Sequence, residues 1–111
     1  MKGKPLLPTL RTKKRYVAYE IISDQYTGQN AYAAIYESYK EYFGRVGVSK
    51  SGLMKTGIYA NNKEVLKINN KFLDELRLAM SMIKEIDKKS VILHTLTVSG
   101  MINKAKTAIG G

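Results

Sequence analysis

The chain has 111 residues, 44% of them apolar, with 19 Lys and Arg against nine Asp and Glu and a formal charge of +10. This length predicts one domain able to bury a core without cross-links, and the apolar share excludes a wholly disordered basic tail. The absence of cysteine excludes a disulfide framework, a thiolate zinc site and a Cys nucleophile; no apolar run is long enough for a membrane span, and prolines stand where a secretory signal needs its apolar stretch, so a soluble cytoplasmic domain is the expectation.

Residues 1–14 read as an extended basic arm, because Pro5 and Pro8 remove backbone donors and turn their neighbours away from helix. Arg15 to Ser23 (RYVAYEIIS) is rich in β-branched and aromatic residues and apolar on both faces, with Val17, Tyr19 and Ile21 on one and Tyr16, Ala18 and Ile22 on the other. That pattern suits a central strand. After a turn at Asp24 to Gly28, the three- and four-residue spacing of Tyr32, Ile35, Tyr36, Tyr39, Tyr42 and Phe43 predicts a helix over 29–43, ended by Gly44. Ser51 to Ala60 and Val65 to Asn69 read as strands joined at Asn61-Asn62-Lys63.

Lys71 to Ile86 is predicted to be the second helix, with Phe72, Leu76, Ala79, Met80 and Ile83 as its apolar stripe and Asn70 as a candidate N-cap. Val91 to Val98 (VILHTLTV) is the last strand, and Met101 to Ile109 a short basic helix with Ser99 as candidate cap. The order is β-α-β-β-α-β with a helix appended. It predicts an α+β, ferredoxin-like sandwich with a four-stranded antiparallel sheet, the arrangement also found in RNA-recognition domains, with residues 15–111 as one domain. Enzymes, metabolite sensors and RNA binders all use this order, so function has to come from the residues.

Charge placement is informative. Residues 1–15 hold six basic side chains (Lys2, Lys4, Arg11, Lys13, Lys14, Arg15) and no acid, and residues 88–111 hold Lys88, Lys89, Lys104 and Lys106 and no acid. The stretch between them carries nine of each sign. Solubility gives no reason to put the whole excess at the two ends, whereas a polyanion does, because each Lys or Arg laid on a phosphate releases a condensed counterion. A membrane surface would need an apolar or lipid anchor as well, so no membrane partner is expected.

Catalytic constellations are missing. His94 is the only histidine, sharing its predicted strand face with Ile92, Leu96 and Val98, and a structural role is expected of it. Small acylphosphatases share the element order and bind phosphate through an Arg in the loop after the first strand; here that loop, Asp24-Gln25-Tyr26-Thr27-Gly28, has none. The chain is therefore not expected to be catalytic by itself. RNA-recognition domains stack bases on aromatics of the two central strands, but Val65-Leu66-Lys67-Ile68-Asn69 has no aromatic, so backbone contact by basic side chains fits better. On the residues alone, a ribosome-associated RNA-binding protein and a small-molecule-sensing domain of the same fold stay open.

Three segments go further: Leu7-Pro8-Thr9-Leu10-Arg11 with Arg15 to Ser23; Leu66-Lys67-Ile68 with Leu76-Arg77-Leu78-Ala79-Met80; and Val91 to Gly100 followed by Ile102 and Lys104-Ala105. In this order they resemble the archaeal ribonuclease P protein component 2 family over nearly the whole chain. The resemblance implies a protein subunit of the ribonucleoprotein that removes 5′ leaders from precursor tRNA, an endonuclease whose RNA is catalytic and holds the Mg2+, with no cofactor in this chain. It implies as partners the ribonuclease P RNA, protein component 3 in a two-plus-two heterotetramer, the other ribonuclease P proteins and, indirectly, precursor tRNA. Arg11, Arg15, Lys67, Arg77 and Lys104 match basic family positions, and with Lys13, Lys14 and Lys106 they are the candidate RNA-binding residues. Tyr32, Tyr36 and Tyr39 are the candidate docking residues for component 3. His94, Thr97, Met101 and Asn103 depart from the family pattern and leave the closing segment less basic.

Overall fold

Alternating burial in the first strand gives the molecule its layers. The computed structural model describes residues 13–26 and 30–110. Strand β1 (Lys14–Ile22) is followed by helix α1 (Ala31–Ser51), strands β2 (Met54–Ala60) and β3 (Lys63–Asn69), a single 3-10 turn (Asn70–Phe72) and helix α2 (Leu73–Ser81). Two-residue strands β4 (Glu85–Ile86) and β5 (Lys89–Ser90), strand β6 (Ile92–Ser99) and helix α3 (Ile102–Ala108) complete the order. The main sheet runs β2-β3-β1-β6, every neighbour antiparallel, which is the ferredoxin-like arrangement the sequence predicts.

Successive residues of β1 feed two separate cores. Val17, Tyr19 and Ile21 point to one face and pack with Leu66 and Ile68 of β3, Ile35, Tyr39 and Val48 of α1, and Leu76, Ala79 and Met80 of α2. Ala18, directly opposite Val65, points to the other face, where Ala105 and Ile109 at the end of α3 close a smaller core with Tyr16, Ile58, Ala60 and Leu96 around it. Helix α3 thus lies across the sheet from α1 and α2. It covers part of the face on which RNA-recognition domains stack bases.

Four boundaries differ from the sequence reading. Gly44 interrupts α1 at φ 81°, ψ 167° without ending it; the chain resumes helix, buries Val48 and stops at Gly52, which takes the left-handed conformation at φ 71°. A helix through Ile86 is not formed. Asp87 and Lys88 both adopt positive φ, as a two-residue hairpin turn requires, and the β4–β5 hairpin places Ile86 in the larger core. Asn70 opens a 3-10 turn instead of capping α2, whose N-terminal flank is Phe72. Finally, Leu96 is bulged out of the β1–β6 register, so Val98 joins the larger core, while His94 and Ile92 pair with Glu20 and Ile22 on the opposite face.

Asn61 and Asn62, both with positive φ, make the turn between β2 and β3. Three residues further back, the outer strand β2 leaves register: Thr56, Gly57 and Ile58 stand against Val65, with Gly57 at φ 85°. The Thr56 hydroxyl donates to the Val65 carbonyl at 2.8 Å and accepts from the Ile58 amide at 3.2 Å, which holds the bulge.

Candidate nucleic-acid interface

Antiparallel pairing gathers cations that lie far apart in sequence. At the end of the sheet where β1 begins, Lys14 pairs with Asn69 and Tyr16 with Lys67, and the amide of Asn70 donates to the Lys13 carbonyl at 2.7 Å. Lys71 follows in the 3-10 turn, Lys50 ends α1 beside Asn69, and Lys55 enters β2 opposite Leu66. Helix α3, carrying Lys104 and Lys106 on exposed positions, starts from the Ser99-Gly100 turn at this same end. The Ser99 hydroxyl accepts from the Met101 amide at 3.0 Å and so sets the entry to that helix, although it makes no cap bond inside it.

Of the predicted RNA-binding residues, Lys13, Lys14, Arg15 and Lys67 are brought together here, with α3 and its Lys104 and Lys106 leading away from the same corner. Arg77 is not among them: it lines a groove between α2 and β6 with Met80, Leu93 and Val98. Arg11 lies outside the described residues, as does the arm over 1–12, while Lys14, read as its last residue, opens β1. Sequence reasoning missed Lys50, Lys55 and Lys71. The middle of the chain sums to zero charge, and only the pairing of β1 with β3 and β3 with β2, with the end of α1 and the 3-10 turn set beside Asn69, reveals that these three join Lys67 at one end of the sheet. Among the described residues the ion pairs are Lys40–Glu37 at 3.3 Å and His94–Glu20 at 3.2 Å, neither of which engages these cations.

Charge is handled differently in the interior. Glu64 is buried and accepts a hydrogen bond from the Tyr19 hydroxyl at 2.5 Å. Burial raises its carboxyl above the ordinary carboxylate range, against the smaller opposing pull of the Tyr19 hydroxyl and the Lys55 ammonium. Burial, reinforced by the neighbouring Glu64, also raises the Tyr19 phenol, so the proton of this pair stays on the tyrosine. Tyr39, predicted to dock a partner, is instead fully buried and donates to Glu75 at 2.6 Å; its phenol is raised by burial and then by Glu75. Its ring faces the core because it shares a helical stripe with Ile35. Tyr32 and Tyr36 remain half-buried at the surface of α1, ring centroids 6.2 Å apart, with the Lys55 ammonium 5.8 Å from the Tyr32 ring. His94 is exposed and lies against Glu20 alone, and among the described residues no three His, Asp or Glu side chains converge to hold a metal.

The arrangement gathers cations from several elements at one end of the sheet. Comparison with known proteins gives the family. Ribonuclease P protein component 2 of Pyrococcus horikoshii is 37% identical over 109 residues, covering 95% of this chain and 89% of that protein. The component 2 proteins of Methanocaldococcus jannaschii and Methanosarcina acetivorans are 34% and 32% identical, covering 93% and 92% of this chain and 77% of each relative. A chain in the cryo-EM structure of yeast ribonuclease MRP has the same fold, with a TM-score of 0.63 at 14% identity over 83% of this chain and 77% of that one. The sequence pattern of the Rpp14/Pop5 family matches residues 15–110, and this chain belongs to that family of ribonuclease P proteins.

Proposed function

We propose that this chain binds the RNA subunit of ribonuclease P and helps it reach its active form by neutralising phosphates, while the RNA, with its own Mg2+, cleaves the 5′ leader of precursor tRNA. The observation that supports this most is the cationic end of the sheet: Lys13, Lys14, Arg15, Lys67 and Lys71 on adjoining strands and the turn beyond them, none in an ion pair among the described residues. Folding an RNA active site crowds phosphates together. Mg2+ relieves that repulsion at high concentration, and cations fixed on a rigid sheet relieve it at lower concentration. Contacts of this kind read shape and charge and leave sequence recognition to base pairing.

The helical layer supplies the second surface. Tyr32 and Tyr36, half-buried and stacked at an angle of 49°, are the residues of α1 that dock protein component 3 in this reading, now without Tyr39. The test is cleavage of precursor tRNA by reconstituted ribonuclease P as Mg2+ is varied. Replacing Lys13, Lys14, Arg15 and Lys67 together with Ala is expected to raise the Mg2+ needed for half-maximal cleavage and leave the melting temperature unchanged. An unaltered Mg2+ profile in a folded variant overturns the proposal. For the partner surface, Tyr32→Ala with Tyr36→Ala is expected to abolish co-purification with component 3; retention of the complex overturns that assignment.

A further inference from the structure

Two of the cations are seated before any RNA arrives, and both seats are made of neutral groups. Lys14 donates its ammonium to the side-chain oxygen of Asn69. Asn69 is only 8% exposed, and its amide nitrogen donates to the Lys50 carbonyl at 2.9 Å. It is pressed against Gly52, where a Cβ would come within 2.7 Å of the Asn69 oxygen, so a side chain there would push the amide out of place. Arg15 donates through Nη1 to the Lys14 carbonyl at 2.9 Å, and its guanidinium lies over Gly100, where a Cβ would come 3.3 Å from Nη1 and 3.9 Å from Cζ.

The choice of partners matters. A carboxylate would hold a Lys or Arg just as firmly, but it would cancel the charge. An amide oxygen and a backbone carbonyl restrict the side chain and leave the full positive charge for a phosphate. Lys14 is held beside the end of α1, through Asn69 and the Lys50 carbonyl, and Arg15 beside Gly100 at the start of α3, so the two charges are presented at separate places. They are therefore positioned for two separate phosphates of a folded RNA.

We infer that Asn69 and Gly100 are positioning residues for RNA binding, holding Lys14 and Arg15 in the orientation in which each meets a phosphate. The inference rests on the functional reading above and deepens it. Ordering a long cationic side chain in advance removes an entropic cost of association that otherwise weakens binding roughly two- to tenfold per side chain.

The experiment is a double-mutant cycle read by fluorescence anisotropy. It uses the full chain and a labelled transcript of the ribonuclease P RNA from the organism that encodes this chain, across a salt series. Asn69→Ala is expected to weaken binding roughly two- to tenfold, and to have no further effect once Lys14→Ala is present. Gly100→Val, an exposed change that fills the seat of the guanidinium, is expected to weaken binding similarly and to be silent in an Arg15→Ala background. A purely structural role would lower affinity in both backgrounds, and equal losses with and without the cation overturn the inference. Gly100→Val keeps the test open should Asn69→Ala fail to fold, which thermal melting reports. Failure of the unaltered chain to bind the RNA at any salt concentration overturns the functional reading itself, a result distinct from wild-type binding that the seat variants leave intact.

Discussion

Where β1 begins, five cations on adjoining elements lie without an ion-pair partner among the described residues, two of them braced by neutral oxygens. Where β1 finishes, charge is buried or answered: Glu64 lies under the Tyr19 hydroxyl, Glu20 meets His94, and Asp87 accepts from the Asn30 amide at 3.3 Å. Lys88 and Lys89 stand there beside the acids Glu85 and Asp87 of the β4–β5 hairpin. The same sheet thus gathers cations at one end and mixes both signs of charge at the other. The difference comes from strand register, since a formal charge of +10 spread evenly would favour neither end.

The sharpest way to break this contrast is to strip the first end. Lys13, Lys14, Arg15 and Lys67 changed to Ala together are expected to weaken RNA binding about a hundred- to a thousandfold at moderate salt, and to lower the slope of log affinity against log salt by about three. Filter binding across a salt series checks both. Next in size is a change to the framework. Ile109→Ala, in the small core beneath α3, is expected to cost about 2–5 kcal/mol in denaturant unfolding, with RNA affinity altered little in molecules that stay folded. A large loss of affinity there would mean that α3, which leads away from the same corner, also grips RNA and that the cationic surface extends beyond the strands.

The third prediction concerns Glu64. Its folded carboxyl is raised above its unfolded value, so the stability linked to its proton is fully present below the unfolded value, about 4.3 for Glu, and is lost as pH rises through the folded one. Thermal melting from acid toward neutral pH is expected to show the unaltered chain declining relative to Glu64→Gln, with RNA affinity the same in both at neutral pH. Parallel melting curves would count against a buried carboxyl at this end. The smallest effect is assigned to Lys88→Ala with Lys89→Ala, expected to change RNA affinity less than about threefold. A loss equal to that of Lys14 and Arg15 would erase the distinction between ends.

Much of the fold could be read from residue spacing. The two-sided apolar pattern of Tyr16 to Ile22 predicts a central strand feeding both faces, and β1 is one, flanked by β3 and β6. Less legible were features set by backbone conformation at single residues. Gly44 looks like a helix end, yet burial of Val48 one turn later recovers the helix, and Ile83 and Ile86 continue an apolar helical stripe although a turn at Asp87-Lys88 redirects the chain. The candidate site was half legible. Lys13, Lys14 and Arg15 are contiguous and obvious, whereas Lys50, Lys55 and Lys71 join them only through pairing, and Arg77 leaves them because its helix faces β6. Tyr39 shows the limit of counting aromatics, since one helical stripe serves core and surface and spacing alone does not divide them.

The bulge at Thr56–Ile58 has a bearing on solubility. A sheet that ends in a straight outer strand offers a continuous row of amides and carbonyls on which copies of the same molecule can stack without limit. In β2 that row is broken after its second residue, and Gly57 turns the backbone into a conformation that an incoming strand cannot match. The outer strand thereby carries its own guard against fibre growth along that margin.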